Sequence, residues 1–149
     1  EILRDSLRLQ LRSDVPIGAL LSGGIDSGLM IALAAEQSGN RLNTFTVSFK
    51  GNAIDESPLA ALVANRYNTN HTNISISAED IIHYLPALAW HIEEPLFDAA
   101  LLPNFLINKV LSKHVTVVLN GTGGDELFAG YGRYFCLPVE RHYLKFPKF

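Results

Sequence analysis

The amino-acid sequence predicts an α/β fold: a doubly wound parallel sheet with helices on both faces. Three observations lead there. Short apolar or β-branched runs alternate along the chain with stretches of helical period. Each run is followed by a helix-length segment, as parallel strands joined by crossovers require. Two of the runs end in glycine-rich turns, and the carboxyl ends of the strands are where open parallel sheets bind their ligands.

The elements follow in order. Leu3, Leu7 and Leu11 recur at helical spacing and predict an amphipathic helix over 1–13, ending before Asp14-Val15-Pro16. "VPIGALLSGG" is a short apolar strand closed by glycines. Residues 26–38 form a helix of good formers, stopped by Gly39-Asn40. "NTFTVSF" (43–49) is rich in β-branched and aromatic residues and predicts a strand. Asp55 caps a helix running through Tyr67, with Pro58 in its first turn. "TNISIS" (72–77) alternates as a strand does, and Ser77 with Asp80 makes a capping box for a helix reaching Trp90. "HIEEPLFDAALLP" is a loop with Pro95 and Pro103, and a helix follows over 104–113. "VTVVL" (115–119) is a strand expected to be buried, and "GTGGDELFAGYG" turns from it into a short last helix. No repeat or boundary interrupts this order, so a single domain over 1–149 is expected.

Composition narrows the class of function. Over 149 residues the chain is 48% hydrophobic and 18% charged, ordinary for a globular domain. A net charge of -3 provides no broad basic field, so no nucleic-acid partner is expected. Every apolar run is broken long before about 18 residues, so no membrane span is expected. The single cysteine, Cys136, excludes an internal disulfide framework and suits a reducing, cytoplasmic setting.

The chemistry concentrates in the two glycine turns. In "SGGIDS", Gly23 and Gly24 let the backbone turn tightly and let a ligand approach, while the following helix offers unpaired N–H groups beside the Ser22 and Ser27 hydroxyls. That suits an anion, above all phosphate. No Gly-Lys-Ser/Thr, G-x-G-x-x-G or G-x-S-x-G frame fits these letters. An aspartate in a phosphate loop repels its ligand unless a cation lies between them, so Asp26 implies Mg2+. In "NGTGGDE", Asp125 is placed to share that ion. Either turn alone would also serve as a plain helix entry capped by Asp26, Ser27 or Asp125. The sheet brings both turns to one edge, which favours a shared site.

These motifs resemble a known family. "SGGIDS" resembles the pyrophosphate loop SGGxDS of the N-type ATP pyrophosphatases, and "VVLNGTGGDELFAGYGRY" is similar to the second signature, LSGxGxDExFxGY, of the asparagine synthetase family. "NTFTVSF", the acidic turn "DES" and "EEPLFDAALLP" match that family in order, from about Val15 to Tyr134. The resemblance implies an adenine nucleotide alpha hydrolase-like fold and an ATP-dependent ligase. In such an enzyme a carboxylate attacks the α-phosphorus of ATP·Mg, pyrophosphate leaves, and ammonia converts the acyl-adenylate to an amide and AMP. It implies pyrophosphate on Ser22, Gly23, Gly24, Asp26 and Ser27, and metal on Asp26 and Asp125. It further implies nucleotide contacts from the backbones of Leu21, Val47 and Gly121, and Tyr131 near the acyl-adenylate. Aspartate or another carboxylate would be the acceptor, with ammonia from glutamine through a glutaminase domain or partner; a homo-oligomer is compatible. Thr122 and Asn120 stand where the family carries an acid and a serine. The chain is expected to be the N-terminal half of the synthetase domain, without the glutaminase domain. A tRNA-modifying ATP pyrophosphatase and a non-catalytic nucleotide-binding module are the competing classes.

Other conspicuous residues fit structural roles. His71, His83, His91, His114 and His142 lack metal-ligand spacing, and His71 is expected to be structural. Glu93-Glu94 shapes a loop, with Asp98 able to face the substrate side. Glu126 is expected to cap the last helix, with orienting the metal site as the alternative, and Trp90 and Phe97 to pack in the core or loop. Cys136 is expected to be an idle thiol, and the tail "RHYLKFPKF" to be an unpaired packing segment.

Overall fold

A computed structural model describes residues 1–49, 55–94, 98, 100–134 and 145. Phe97, Cys136, His142 and the "RHYLKFPKF" tail apart from Lys145 therefore lie outside the described residues, as does part of the "EEPLFDAALLP" loop. The elements run α1 (Ile2–Gln10), β1 (Ile17–Leu20), α2 (Ile25–Gln37), β2 (Asn43–Phe49), α3 (Ser57–Arg66), β3 (Asn70–Ile76), α4 (Ala78–Ile92), α5 (Leu101–Leu111), β4 (Val117–Leu119) and α6 (Gly124–Phe128). Every expected element is present.

The four strands are parallel and stand in the order β3-β2-β1-β4. The chain builds outward from β1 through β2 to β3, then returns to place β4 on the other side of β1. That reversal makes the gap between the carboxyl ends of β1 and β4 the switch point of the sheet, where ligands bind in this class of fold.

Alternation along the strands sends side chains into two cores. On one face Ala19, Leu21 and Leu119 pack with Leu7 of α1, Met30, Ile31 and Ala34 of α2, and Ala60 and Ala64 of α3. On the other, Phe45, Ile74 and Ile76 pack with Leu106 and Leu111 of α5, and with Ile81 and Tyr84 of α4 at the margin. Helices thus cover both faces, as expected. Packing on the second face is tight: a methyl group on Gly18 of β1 would lie 2.8 Å from the ring of Phe45 on the neighbouring strand β2.

The boundaries differ where local chemistry prevails over pattern. Helix α5 begins at Leu101, ahead of the expected Asn104, because Pro103 falls in its first turn, where no N–H is needed. Asp98 organises that entry: its Oδ1 accepts from the Ala100 N–H at 2.8 Å, so its carboxylate is engaged in the turn. Helix α4 carries Pro86 inside it and continues to Ile92, ending on Glu93 in the left-handed region (φ 61°). Its capping box forms as expected, Ser77 Oγ accepting from Asp80 N at 3.2 Å and Asp80 Oδ2 from Ser77 N at 2.9 Å. Strand β4 corrects an expectation: Val117–Leu119 pair, Val117 is 39% exposed, and among the described residues β4 has β1 as its one neighbouring strand. Trp90 corrects another, since it is 82% exposed on α4 instead of packed.

Candidate active site

Helix α2 enters directly from β1 through Ser22-Gly23-Gly24, and the hydroxyls knit that turn. Ser22 Oγ lies 2.8 Å from Ser27 Oγ and accepts from the Gly24 N–H at 3.1 Å. The Ser22 N–H donates to Ser27 Oγ at 3.1 Å. Gly24 is the N-cap of α2, and no side chain caps the helix. Neither Asp26 nor Ser27 therefore serves as the cap that a plain helix entry would supply. The first-turn N–H groups of α2 keep their capacity for an anion.

The second turn follows β4 and closes on the first. The Asn120 side chain accepts from the Thr122 N–H at 3.1 Å, folding the loop back. Gly123 takes φ 97°, a conformation that favours glycine, and is the N-cap of α6, so Asp125 lies in the first turn of that helix and does not cap it. The approach of the two loops is closest at two glycines. A methyl group on Gly121 would sit 3.3 Å from the Ser27 nitrogen, and one on Gly124 would sit 2.9 Å from Asp26 Cβ and overlap its carboxylate. Asp26 thus lies against the residue preceding Asp125. A groove of about 170 Å3 opens here, lined by Asp26, Met30, Gly121, Thr122, Gly124 and Leu127. It is smaller than a typical whole-ligand pocket, so it suits only a portion of a nucleotide-sized ligand.

The strand ends supply the remaining predicted positions. β1 pairs with β2 up to Leu20↔Phe45, and extending that register sets Val47 level with Ser22. β4 pairs with β1 up to Ala19↔Leu119, which by extension sets Gly121 level with Leu21. The Leu21 side chain is buried, its N–H donates to Phe45 O at 2.8 Å, and its carbonyl accepts from the Thr46 hydroxyl. That carbonyl keeps a second lone pair for a ligand. Leu21, Ser22, Gly23, Gly24, Asp26, Ser27, Val47 and Gly121 fall on this edge, whereas Asp125 sits in the first turn of α6 with its carboxylate against Gly130.

Tyr131 is tied to Glu126. Its hydroxyl donates to Glu126 Oε1 at 2.7 Å, and the Arg133 guanidinium lies 4.7 Å from its ring centre. The hydrogen bond from Tyr131 holds the Glu126 carboxyl below its usual range, and the same bond raises the Tyr131 phenol above its own. At neutral pH the pair is a phenol donating to a carboxylate. Glu126 is thus engaged by Tyr131 and is not the cap expected of it.

Two participants were not singled out from the sequence. Thr46 buttresses Leu21, and Glu56 of the "DES" turn places its carboxylate on the Gly23 N–H at 3.2 Å. The acidic turn was the available signal for Glu56, but only the fold shows that α3 starts beside Gly23.

For a magnesium ion the donor set is right in kind. Asp26 and Asp125 offer hard carboxylate oxygens, and Mg2+ is bound by one or two such groups plus phosphate and water. Among the described residues no group of three or more His, Cys, Asp or Glu side chains gathers as potential metal ligands.

Comparison with known proteins agrees with this architecture. The family model described as asparagine synthase matches residues 1–148. Over 134 residues the chain is 40% identical to the glutamine-hydrolysing asparagine synthetase 1 of Bacillus subtilis (strain 168), covering 90% of this chain and 21% of that protein. It is 31% identical to the glutamine-hydrolysing asparagine synthetase of Zea mays, covering 97% of this chain and 26% of the relative. The chain therefore spans about a fifth to a quarter of the length of these relatives. Among solved structures, a glutamine-dependent NAD+ synthetase from Acinetobacter baumannii in complex with ADP superposes with TM-score 0.60 at 25% identity, covering 87% of this chain and 26% of that one. An NH3-dependent NAD synthetase from Campylobacter jejuni shares the fold with TM-score 0.56 at 18% identity, covering 88% and 58%. With the family model matched almost end to end and the two signature loops meeting at the switch point, the chain belongs to the asparagine synthase family.

Proposed function

We propose that this chain is the nucleotide-binding part of an ATP-dependent carbon–nitrogen ligase of the asparagine synthetase type. The observation that carries the reading is the closure of the two glycine loops on each other, with Asp26 packed against Gly124 at the switch point. The relatives' names and the adenine nucleotide in a structural neighbour support it.

In this reading a carboxylate oxygen, that of aspartate or another acid, attacks the α-phosphorus of ATP. The bond to the β-phosphate oxygen breaks, giving an acyl-adenylate and pyrophosphate. Ammonia then adds to the acyl carbon, AMP leaves and a proton is released, giving the amide. The residues here serve the first half. The Ser22 and Ser27 hydroxyls and the backbone of Gly23 and Gly24, with the uncapped first-turn N–H groups of α2, hold the departing pyrophosphate and compensate the charge that builds on it. Asp26 and Asp125 hold Mg2+, which when bound neutralises charge on the phosphates. The backbones of Leu21, Val47 and Gly121 orient the nucleoside. Tyr131, held by Glu126 and Arg133, stands beside the acyl-adenylate. Ammonia comes from glutamine through a glutaminase domain or partner.

Calorimetric titration of the full-length protein with ATP plus Mg2+ tests the site. Binding that requires Mg2+ and weakens about tenfold or more in Asp26→Ala and in Asp125→Ala is expected. Binding unaffected by either substitution would remove the shared-metal reading.

A further inference from the structure

The pyrophosphate loop already carries an anion. The Gly23 N–H, one of the donors assigned above to phosphate, donates to Glu56 Oε2 at 3.2 Å. This contact is imposed by the backbone around it. Helix α3 is anchored by Ala60, which is fully buried, and its first turn is set by Glu56 O accepting from Ala60 N at 3.0 Å. The preceding turn is fixed by Asp55 Oδ1 accepting from the Ser57 N–H at 2.9 Å. So placed, α3 abuts the loop: a methyl group on Gly23 would lie 2.8 Å from Leu59 Cβ and 3.3 Å from Glu56 Cβ. Gly23 is glycine because α3 lies over it, and that same approach delivers the carboxylate. Among the described residues no lysine or arginine forms an ion pair with Glu56; the ion pairs are Arg4–Glu36 and Arg8–Asp5.

We propose that Glu56 is an internal competitor for the pyrophosphate subsite, occupying the Gly23 N–H in the unliganded protein and giving it up when a phosphate oxygen arrives. The inference rests on the nucleotide reading above and adds a residue that sets affinity at that site. One N–H cannot serve two anions at full strength, and two negative oxygens at that distance repel each other. Binding therefore includes displacement of the carboxylate, and its return helps expel pyrophosphate once the acyl-adenylate has formed. Glu56 is also placed to disfavour phosphate that arrives without its cation, since uncompensated charge meets the greater repulsion.

The test is titration of the full-length protein with magnesium pyrophosphate, comparing wild type, Glu56→Gln and Glu56→Ala. Both variants are expected to bind about three- to tenfold more tightly, with the gain shrinking as ionic strength rises. Glu56 is exposed, so both variants are expected to melt as wild type does. Equal affinity in all three proteins would overturn the competitor. Weaker binding in the variants would also overturn it, by placing Glu56 among the groups that hold the cation. ATP plus Mg2+ is titrated in parallel to separate the two readings. If wild type binds ATP but the variants gain nothing, only the competitor fails; if no protein binds either ligand, the nucleotide site fails with it.

Discussion

Gly124 shows how much one hydrogen can decide. Its place at the start of α6 demands no unusual backbone angle, and an alanine there would extend the helix favourably. The obstacle is Asp26, whose carboxylate occupies the space a methyl group would need. Gly124→Ala is therefore expected to lower thermal stability modestly, because the added methyl group meets Asp26 Cβ at 2.9 Å, which side-chain rotation cannot relieve and only a shift of α6 against α2 can. It is also expected to weaken binding of ATP plus Mg2+ about tenfold or more, because Asp26 has to rotate away from the shared ion. A melting curve and a titration on the same preparation check both halves; tight binding in the variant would show that Asp26 does not act from this position. Gly124 could be seen in the sequence as part of a turn, but its partner could not, because Asp26 is 98 residues away in the chain (124 minus 26). By contrast the Ser22–Ser27 pair was visible from the letters, since both hydroxyls belong to one turn.

At the scale of elements, the α3 side of the β2–β3 pair carries a polar seam where a core would be expected. Thr44, Thr46 and Ser48 are buried, and the register sets Thr44 beside His71 and Thr46 beside Asn73. Thr44 Oγ1 lies 2.8 Å from Thr69 Oγ1 and 3.0 Å from His71 Nδ1, while Ser48 donates to Asn73 Oδ1 at 3.2 Å. His71 is thus structural, as its isolation in the sequence suggested. Burial lowers its pKa from the ordinary 6.5. The unfolded chain accordingly takes up the proton first as pH falls. The stability that His71 contributes is complete above pH 6.5 and declines as pH drops from there toward the lowered folded value. Melting temperature followed across that range should show an acid-side fall that is reduced in His71→Gln; an identical slope in the variant would assign the fall to other groups. The sequence revealed strands here through β-branched letters, but not which face the threonines took. Register decides that, and register comes from pairing. The same limit explains β4, where four apolar letters and a threonine suggested a buried strand and only three residues pair, along one side.

For the molecule as a whole, scaffold and site are separable although α2 serves both. The parallel sheet was recoverable, because alternation of strand and helix with glycine turns at strand ends implies crossover connections. The closeness of the loops was not, since it depends on β4 returning beside β1. Ile31 on α2 is fully buried beneath the sheet, whereas Asp26 on the first turn of the same helix faces the switch point. Ile31→Ala should lower folding stability by about 2–5 kcal/mol through lost transfer energy and the cavity left behind. It should leave the ligand's own contribution intact, because the loop donors are held by local hydroxyl bonds and not by that side chain. At a ligand concentration of a hundred times the dissociation constant, that contribution is about 2.7 kcal/mol by mass action. Asp26→Ala should do the opposite, removing most of the ligand-induced increment while leaving the unliganded melt near wild type. Melting the full-length protein with and without ATP plus Mg2+ in both variants gives four transitions to compare. If Ile31→Ala also abolished the increment, the site would depend on the packing of α2 as a unit, and the geometry of the Ser22–Ser27 turn would not be self-supporting.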